Sequence, residues 1–507
     1  MASPAEKLAQ SLEELKKLQN DQGFAVVKTS DLSRTHLDRL VKEGFLTQVI
    51  KGWYLSTRPD QKPGSTSTWY TSFWYFISVY LNHRFGESWC LSPEQSMQLH
   101  SGNWVVPSQL LVRSPKGSNN RTDLLHGISI FDVQLEIPSK DEIVVINGIN
   151  VYSLASTVIN IGEDTYERKA IDARTCLYSI QDSSEILSIL LERGYSVKAG
   201  RVAGAFRNIG NSKISEDILS TMISTGYDVR ETDPFTEKMN TVLPLRQISP
   251  FANRIKLMWN EMRPSVIGSF PVVENSQNSI DDTLAKIDEK YVSDAYHSLS
   301  IEGYKVTKDL INKVRSGDWD SKGDEDDKKT KNALAARGYW MCFQKVKEGV
   351  DEVLRGENPG DVADKRHGEW YRELFSPSVS AGILKPSDLA GYRNAQVFIS
   401  GSMHTPPSKE SVRDAMPVLF ELLTLEENAA VRVILGHFIF VYIHPYMDGN
   451  GRLARFLMNL MLVSGGYPWL IIPVDRRGEY MDALEAASVQ QDITKFTKFI
   501  AALMNEK

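Results

Sequence analysis

A chain of 507 residues is too long for one hydrophobic core and predicts roughly two to four domains. At 42% hydrophobic and 24% charged, with no dominant residue type, its composition excludes a largely disordered or fibrous protein. A net charge of −6 excludes a chain that coats nucleic acid or an anionic membrane along its whole length, but leaves room for a small basic module.

The opening run MASPAEKLAQSLEELKK is amphipathic and polar, without the apolar core of a signal peptide. Helical periodicity over residues 5–20 gives way after Gly23 to a short apolar piece, FAVV. The run TSDLSRTHLDRLVKEGFL predicts a turn and a second amphipathic helix, packed through Leu32, Leu37, Leu40, Val41 and Leu46. TQVIKGWYLST reads as two short alternating segments around Lys51-Gly52. Helices followed by a small β-hairpin describe a winged helix-turn-helix over residues 1–60. From Gly23 to Arg58 six Lys/Arg face three Asp/Glu, so this piece is positive within an acidic chain.

RPDQKPGSTSTW, residues 58–69, reads as a linker. Residues 61–235 combine an aromatic helix, WYTSFWYFISVYL, with the strand-like runs SQLLVRSP, ISIFDVQLEI and EIVVINGINVYSL. This predicts an α+β domain, and no catalytic motif is found in it. A second junction falls at 231–250, and the pattern is then mainly helical over 250–507. The charged run GDWDSKGDEDDKKTK at 317–331 reads as a solvated loop. Cys90, Cys176 and Cys342 form neither a metal spacing nor a disulfide framework, which fits a cytoplasmic, reducing setting. Residues 456–474 carry no charge but are broken by Asn459, Ser464, Gly465-Gly466 and Pro468. They predict a buried helix followed by a strand, and no membrane span.

The chemistry concentrates in residues 444–455, HPYMDGNGRLAR. The apolar run before His444 predicts a buried helix over 433–443, which His444-Pro445 ends because proline disfavours a helical residue before it. Gly449, Asn450 and Gly451 form a tight loop at the start of the next helix, where several N–H groups converge into an anion cradle. Arg452 and Arg455 share a helix face and can clamp further phosphate oxygens. Asp448 supplies a hard oxygen ligand suited to Mg²⁺ bound beside phosphates. His444 can take a proton near neutral pH. A base, a metal ligand, a cradle and two arginines are the parts of a phosphoryl-type transfer.

This run resembles the signature of the Fic family, His-Pro-Phe-x-Asp/Glu-Gly-Asn-Gly-Arg-x-x-Arg, with Tyr446 where Phe is usual. The resemblance covers residues 250–507 and implies a mostly helical domain that moves AMP from ATP to a Ser, Thr or Tyr hydroxyl of a target protein, the chain itself included. Carried over, His444 is the base, Asp448 holds Mg²⁺, Gly449–Gly451 and Asn450 bind phosphate oxygens, and Arg452 and Arg455 grip the outer phosphates. The segment AGYRNAQVFISGSMHTPPSKESV, from Ala390, resembles the family's β-hairpin flap; Val397, Phe398, Ile399, Ser400 and Gly401 would hold a target's backbone by strand addition. RRGEYMDALEAAS resembles the stretch lining the adenine pocket, with Tyr480 as its candidate. Upstream, on a helix expected over 281–303, Ser298, Glu302 and Gly303 match the family's inhibitory pattern, which implies a glutamate paired with Arg455 and a second role in removing AMP. Fic proteins often self-associate as homo-oligomers, and the sequence reveals no interface for that. Another nucleotide donor, or a nucleotide-sensing regulator, is the alternative reading.

The front half resembles AbiEi-type antitoxin and regulator proteins through LSPEQSMQLHSGNWVVPSQLLVRSP and INGINVYSLASTVINI. That implies DNA as a partner. Ser33, Arg34, Thr35 and Arg39 would start or line the recognition helix, and Lys51 would sit in the wing. Docking of a protein on the same scaffold is the alternative.

Overall fold

The computed structural model describes residues 3–19, 25–59, 66–236, 249–271, 279–317 and 327–505, with backbone alone for 327–330. The linker at 58–69, the junction at 231–250 and the charged run at 317–331 fall largely outside them. The chain forms two compact units: Met1–Pro250 with Phe398–Thr405, and Phe251–Val397 with Pro406–Lys507.

In the first unit, α1 (Pro4–Leu18) begins with a reciprocal cap. The Ser3 hydroxyl accepts from the Glu6 N–H while the Glu6 carboxylate accepts from the Ser3 N–H. After β1 (Val26–Lys28), α2 (Arg34–Lys42) is capped by the Ser33 hydroxyl, and β2 (Leu46–Ile50) and β3 (Trp53–Ser56) follow. The strands pair antiparallel in the order β1–β3–β2. Leu15, Ala25, Val27, Leu32, Leu37, Leu40 and Leu46 close a small core. Val41, expected on that face, is exposed instead, because one step past Leu40 turns it about 100° around the helix. Val49, Trp53 and Leu55 join a larger core built on α3 (Ser67–Phe85), where Trp53 meets Phe76 and Tyr80 edge-on. The regions 1–60 and 61–235 therefore meet within one unit that shares a core.

That larger core takes in residues of β4 (Cys90–Leu91), α4 (Pro93–His100), β5 (Gln109–Ser114) and β7 (Ser129–Gln134), and the exposed β6 (Asn120–Asp123) flanks β7. The sheet order is β4–β5–β7–β6, with β5 and β7 parallel from Gln109 opposite Ser129 to Ser114 opposite Gln134. A hairpin of β8 (Ile143–Ile146) and β9 (Ile149–Tyr152) turns at Asn147-Gly148, both at positive φ, as a two-residue hairpin loop requires. Helices α5 (Leu154–Asn160), α6 (Glu163–Arg168), α7 (Ala170–Ser179), α8 (Ser184–Arg193), α9 (Ser196–Asn208) and α10 (Ser212–Ser224) complete this α+β part. Residues 398–405 also belong here. The Val106 N–H donates to the Met403 carbonyl at 3.0 Å, the Ser67 and Ser400 hydroxyls lie 2.8 Å apart, and Met403 packs against the aromatic core.

Among the described residues the second unit has helices and no strand: α11 (Pro250–Ser269, its first residue in the first unit), α12 (Ile280–Ile301), α13 (Lys308–Ser316), α14 (Asp327–Leu354), α15 (Pro359–Ser380), α16 (Lys409–Leu425), α17 (Ala429–Ile443), α18 (Asn450–Ser464), α19 (Arg477–Glu485) and α20 (Thr494–Asn505). α17 is apolar apart from Arg432 and His437 and is buried on nearly every face, as such a helix must be. Two expected strands are absent. Residues 467–473 pair in no ladder; Asn459 instead takes the Leu470 N–H at 2.7 Å and donates to its carbonyl at 3.0 Å. The expected flap hairpin is irregular too: Pro406 and Pro407 have no N–H to offer a ladder, and Gln396 bonds the Pro406 carbonyl by its side chain. The three cysteines are buried free thiols, and among the described residues no helix is long and apolar enough to cross a membrane.

Candidate active site

α17 ends at His444, whose φ of 54° and ψ of 61° are left-handed, a conformation that a non-glycine residue holds only when its surroundings impose it. Pro445 bars continuation of the helix, and Arg393 fixes the turn. The Arg393 N–H donates to the Pro445 carbonyl and its Nε to the His444 carbonyl, both at 2.9 Å. Its guanidinium also donates to the Ala395 and Pro407 carbonyls. Arg393 was not among the expected site residues, although it is the one formal charge between Asp388 and Lys409. Burial lowers its guanidinium to about 10. His444 Nδ1 lies 3.3 Å from the Val441 carbonyl, which places the proton on Nδ1 and leaves Nε2 as the base. Burial pushes this imidazole down to about 4.

Tyr446 fills the Phe position by stacking on Tyr371, with ring centroids 3.9 Å apart and planes 12° apart. Beyond it, Gly449 has φ +80°, and a Cβ there would meet Phe375 at 2.8 Å and Leu374 at 2.9 Å, so only glycine fits. Asn450 braces the loop. Its Oδ1 accepts from the Tyr446 N–H at 2.9 Å and its Nδ2 donates to the Tyr446 carbonyl at 2.8 Å. One of the two Nδ2 N–H groups thus closes the loop at the N-terminal end of α18.

Ser298 and Glu302, from the end of α12, meet Arg455 on α18. Arg455 Nε donates to the Ser298 hydroxyl at 2.9 Å, and its Nη2 donates to the Ser298 carbonyl at 3.1 Å and to Glu302 Oε1 at 2.8 Å. Gly303, at φ +88°, ends the helix. Burial pushes the Glu302 carboxyl up, but Arg455 and then Arg452 outweigh it and hold the group below the usual carboxylate range. Burial opposes the Arg455 charge, and Glu302 overcomes that, so the guanidinium is held above its ordinary value. A Cβ on Gly451 would come within 2.4 Å of Glu302 Oε1. The carboxylate therefore sits against the first turn of α18, where backbone N–H groups favour an anion.

Arg452 is 1% exposed and pairs with Asp448 at 3.4 Å, while the Asp448 side chain is 65% exposed. Both line a cleft of about 1220 Å³ with Tyr304, Tyr371, Phe375 and Met447. Asp448 is thus open to solvent and only loosely paired, as a single carboxylate must be to join Mg²⁺ together with phosphate oxygens and water. Among the described residues no group of three or more His, Cys, Asp or Glu could hold a metal without a nucleotide. Tyr480 is buried, its hydroxyl 2.8 Å from His437 Nε2 on α17, and it lies within electrostatic reach of Arg455 and Glu302. His437, lowered to about 3 by burial, was missed; a lone histidine in VILGHFIF signals a buried partner.

Of the flap residues, Val397 is in the second unit, whereas Phe398, Ile399, Ser400 and Gly401 belong to the first. In α2, Arg34 and Thr35 are exposed, as is Lys51 in the β2–β3 turn. Arg39 is committed elsewhere: its guanidinium donates to the Lys7 carbonyl and the Ser11 hydroxyl on α1.

Residues 367–462 match the Fic/DOC family. The chain is 29% identical over 220 residues to a protein adenylyltransferase Fic of Nematostella vectensis, covering 42% of this chain and 47% of that protein. It is 29% identical over 222 residues to a protein of the same name from Drosophila melanogaster, covering 42% and 40%. The chain thus spans under half the length of these curated relatives. Among solved structures, a Fic domain containing signaling protein from Bacteroides thetaiotaomicron aligns with a TM-score of 0.36 and 17% identity, over 49% of this chain and 92% of that one. Fic-1 from C. elegans aligns with a TM-score of 0.36 and 17% identity, over 66% and 93%.

Proposed function

From the Fic/DOC family domain that residues 367–462 form, we propose that this protein is an adenylyltransferase that moves AMP from ATP to a hydroxyl of a target protein, and that Glu302 restrains it. One observation carries the reading: a carboxylate, Glu302, lies against the first turn of α18 and pairs with Arg455 at 2.8 Å. A site that draws Glu302 below the usual carboxylate range is built for negative oxygens, and phosphate is the competitor that uses the same donors.

In this mechanism the neutral His444 takes the proton of the target hydroxyl on Nε2, with Nδ1–H held by Val441. The hydroxyl oxygen bonds to the α-phosphorus of ATP, the bond from that phosphorus to the bridging oxygen breaks, and pyrophosphate leaves with the bonding pair. The first-turn N–H groups of α18 receive phosphate oxygens, and Arg452 and Arg455 bind the leaving pyrophosphate. Mg²⁺, held by Asp448 and the phosphates, would neutralise charge on that leaving group. While Glu302 holds Arg455, one of the two arginines is withdrawn. In the same reading, Glu302 also orients the water that hydrolyses AMP from the target.

The test is transfer of label from ATP tagged at its α-phosphate. Protein-bound label is expected to be weak in the parent, to rise at least roughly tenfold in Glu302→Gly, and to vanish in Glu302→Gly/His444→Ala. No label in any of them, with ATP binding intact, sinks ATP as the donor, and other labelled nucleotides then decide between a different donor and a nucleotide-sensing regulator. A second role, DNA binding by the front half, is favoured by the exposure of Arg34, Thr35 and Lys51 on a locally positive segment.

A further inference from the structure

Arg452 and Arg455 are secured in different ways. Arg455 has Ser298 and Glu302 as hydrogen-bond partners. Arg452 is as deeply buried, yet its Nε finds no hydrogen-bond partner among the described residues, and its ion pair with the open Asp448 spans 3.4 Å. A long side chain with so few bonds needs another constraint to hold one geometry.

Part of the constraint is aromatic, beside a polar interaction of the Tyr304 hydroxyl with the same guanidinium. The Arg452 guanidinium lies 5.2 Å from the ring centroid of Tyr304 and 5.1 Å from that of Phe375. A flat, delocalised cation is drawn to ring faces, and stacking leaves its N–H edge unspent. Tyr304 is itself fixed: it follows Gly303 at the end of α12, and its N–H donates to the Leu299 carbonyl at 3.1 Å. One helix end thus reaches both arginines, Arg455 through Glu302 and Arg452 through Tyr304.

We propose that Tyr304 is a positioning residue for nucleotide binding. With Phe375 it holds the Arg452 guanidinium by its faces, keeping the N–H donors, Nε among them, available to the polyphosphate of ATP. This inference rests on the loop being a nucleotide site. It separates two functions of adjacent residues: Glu302 opposes phosphate at Arg455, and Tyr304 supports phosphate at Arg452.

The experiment measures ATP affinity by calorimetry, with Mg²⁺ present, on the full chain carrying Glu302→Gly. Tyr304→Leu is expected to weaken ATP roughly tenfold, and Tyr304→Phe to stay within about threefold of the parent because the ring face is kept. In an Arg452→Ala background, Tyr304→Leu should change affinity by less than about twofold, since the partner it positions is gone. Should the leucine variant fail to fold, Tyr304→Met removes the ring face at similar volume and is read the same way. Equal losses with and without Arg452, or a phenylalanine variant as weak as leucine, overturn the proposal. A Glu302→Gly parent that binds no ATP overturns the nucleotide reading and this one with it; ATP binding indifferent to Tyr304 overturns this one alone.

Discussion

Burial pulls the His444 imidazole down to about 4, the Val441 carbonyl opposes that, and the Arg393 charge adds to it. The reactive species is the neutral imidazole, so the base is ready over the whole neutral range and is lost only as pH falls toward its own value. Glu302 pushes the same group upward, and its removal moves the acid limb lower still. At saturating ATP, the Glu302→Gly variant is therefore expected to keep more than about half of its pH 7.5 rate at pH 5.5. A pH–rate profile with its acid limb near 6.5 would refute this burial argument. At this scale the sequence discloses identity better than direction. His444, Asp448 and the arginines stand out because each has one chemistry to offer at its spacing, whereas Glu302 is singled out only by its resemblance to the family's inhibitory pattern. Asn450 could donate to phosphate or to its own loop, and Tyr480 could line a pocket or plug a core. Only the three-dimensional structure shows that Asn450 bonds the Tyr446 backbone and that Tyr480 bonds His437.

The junction of α17 and α18 is the element on which the chemistry hangs, and its geometry depends on Gly449. A methyl group there meets Phe375 and Leu374 on α15 at under 3 Å, and the left-handed φ of +80° adds backbone strain. Gly449→Ala is expected to cost roughly 2–4 kcal/mol from these two sources. Urea melts would measure that loss, and nucleotide binding should fall with it; a variant of parental stability would mean that α15 yields more readily than the packing indicates. The two helices were readable beforehand because an apolar run ends at His-Pro and restarts after a glycine pair. The flap was not. Alternation over 397–401 looks the same whether a strand finds a partner or lies alone, and the prolines that deny it a partner fall several residues later. The parallel pairing of β5 with β7 was hidden for a related reason, since register is a property of two segments and each run carries only its own pattern.

For the whole molecule, the front half's exposed cations make a salt-dependent prediction. DNA binding by the full chain should weaken as salt rises. Changing Arg34 and Lys51 together to alanine should reduce affinity at least about tenfold and flatten the salt slope by about two. Arg39 is left in place because it ties α2 to α1. No DNA binding at low salt would turn the front half toward a protein partner.

The seat of Met403 against the aromatic core of the first unit has a consequence for how the chain is made. That unit is discontinuous: its last piece, Phe398–Thr405, is translated after the long helical stretch that begins at Phe251. At typical synthesis rates the ribosome needs roughly 10–30 s to travel from residue 250 to residue 405. During that interval the front half waits with the seat of Met403 open and the Val106 N–H lacking its carbonyl. Its completion marks a moment when all of α17 and α18 have yet to be made.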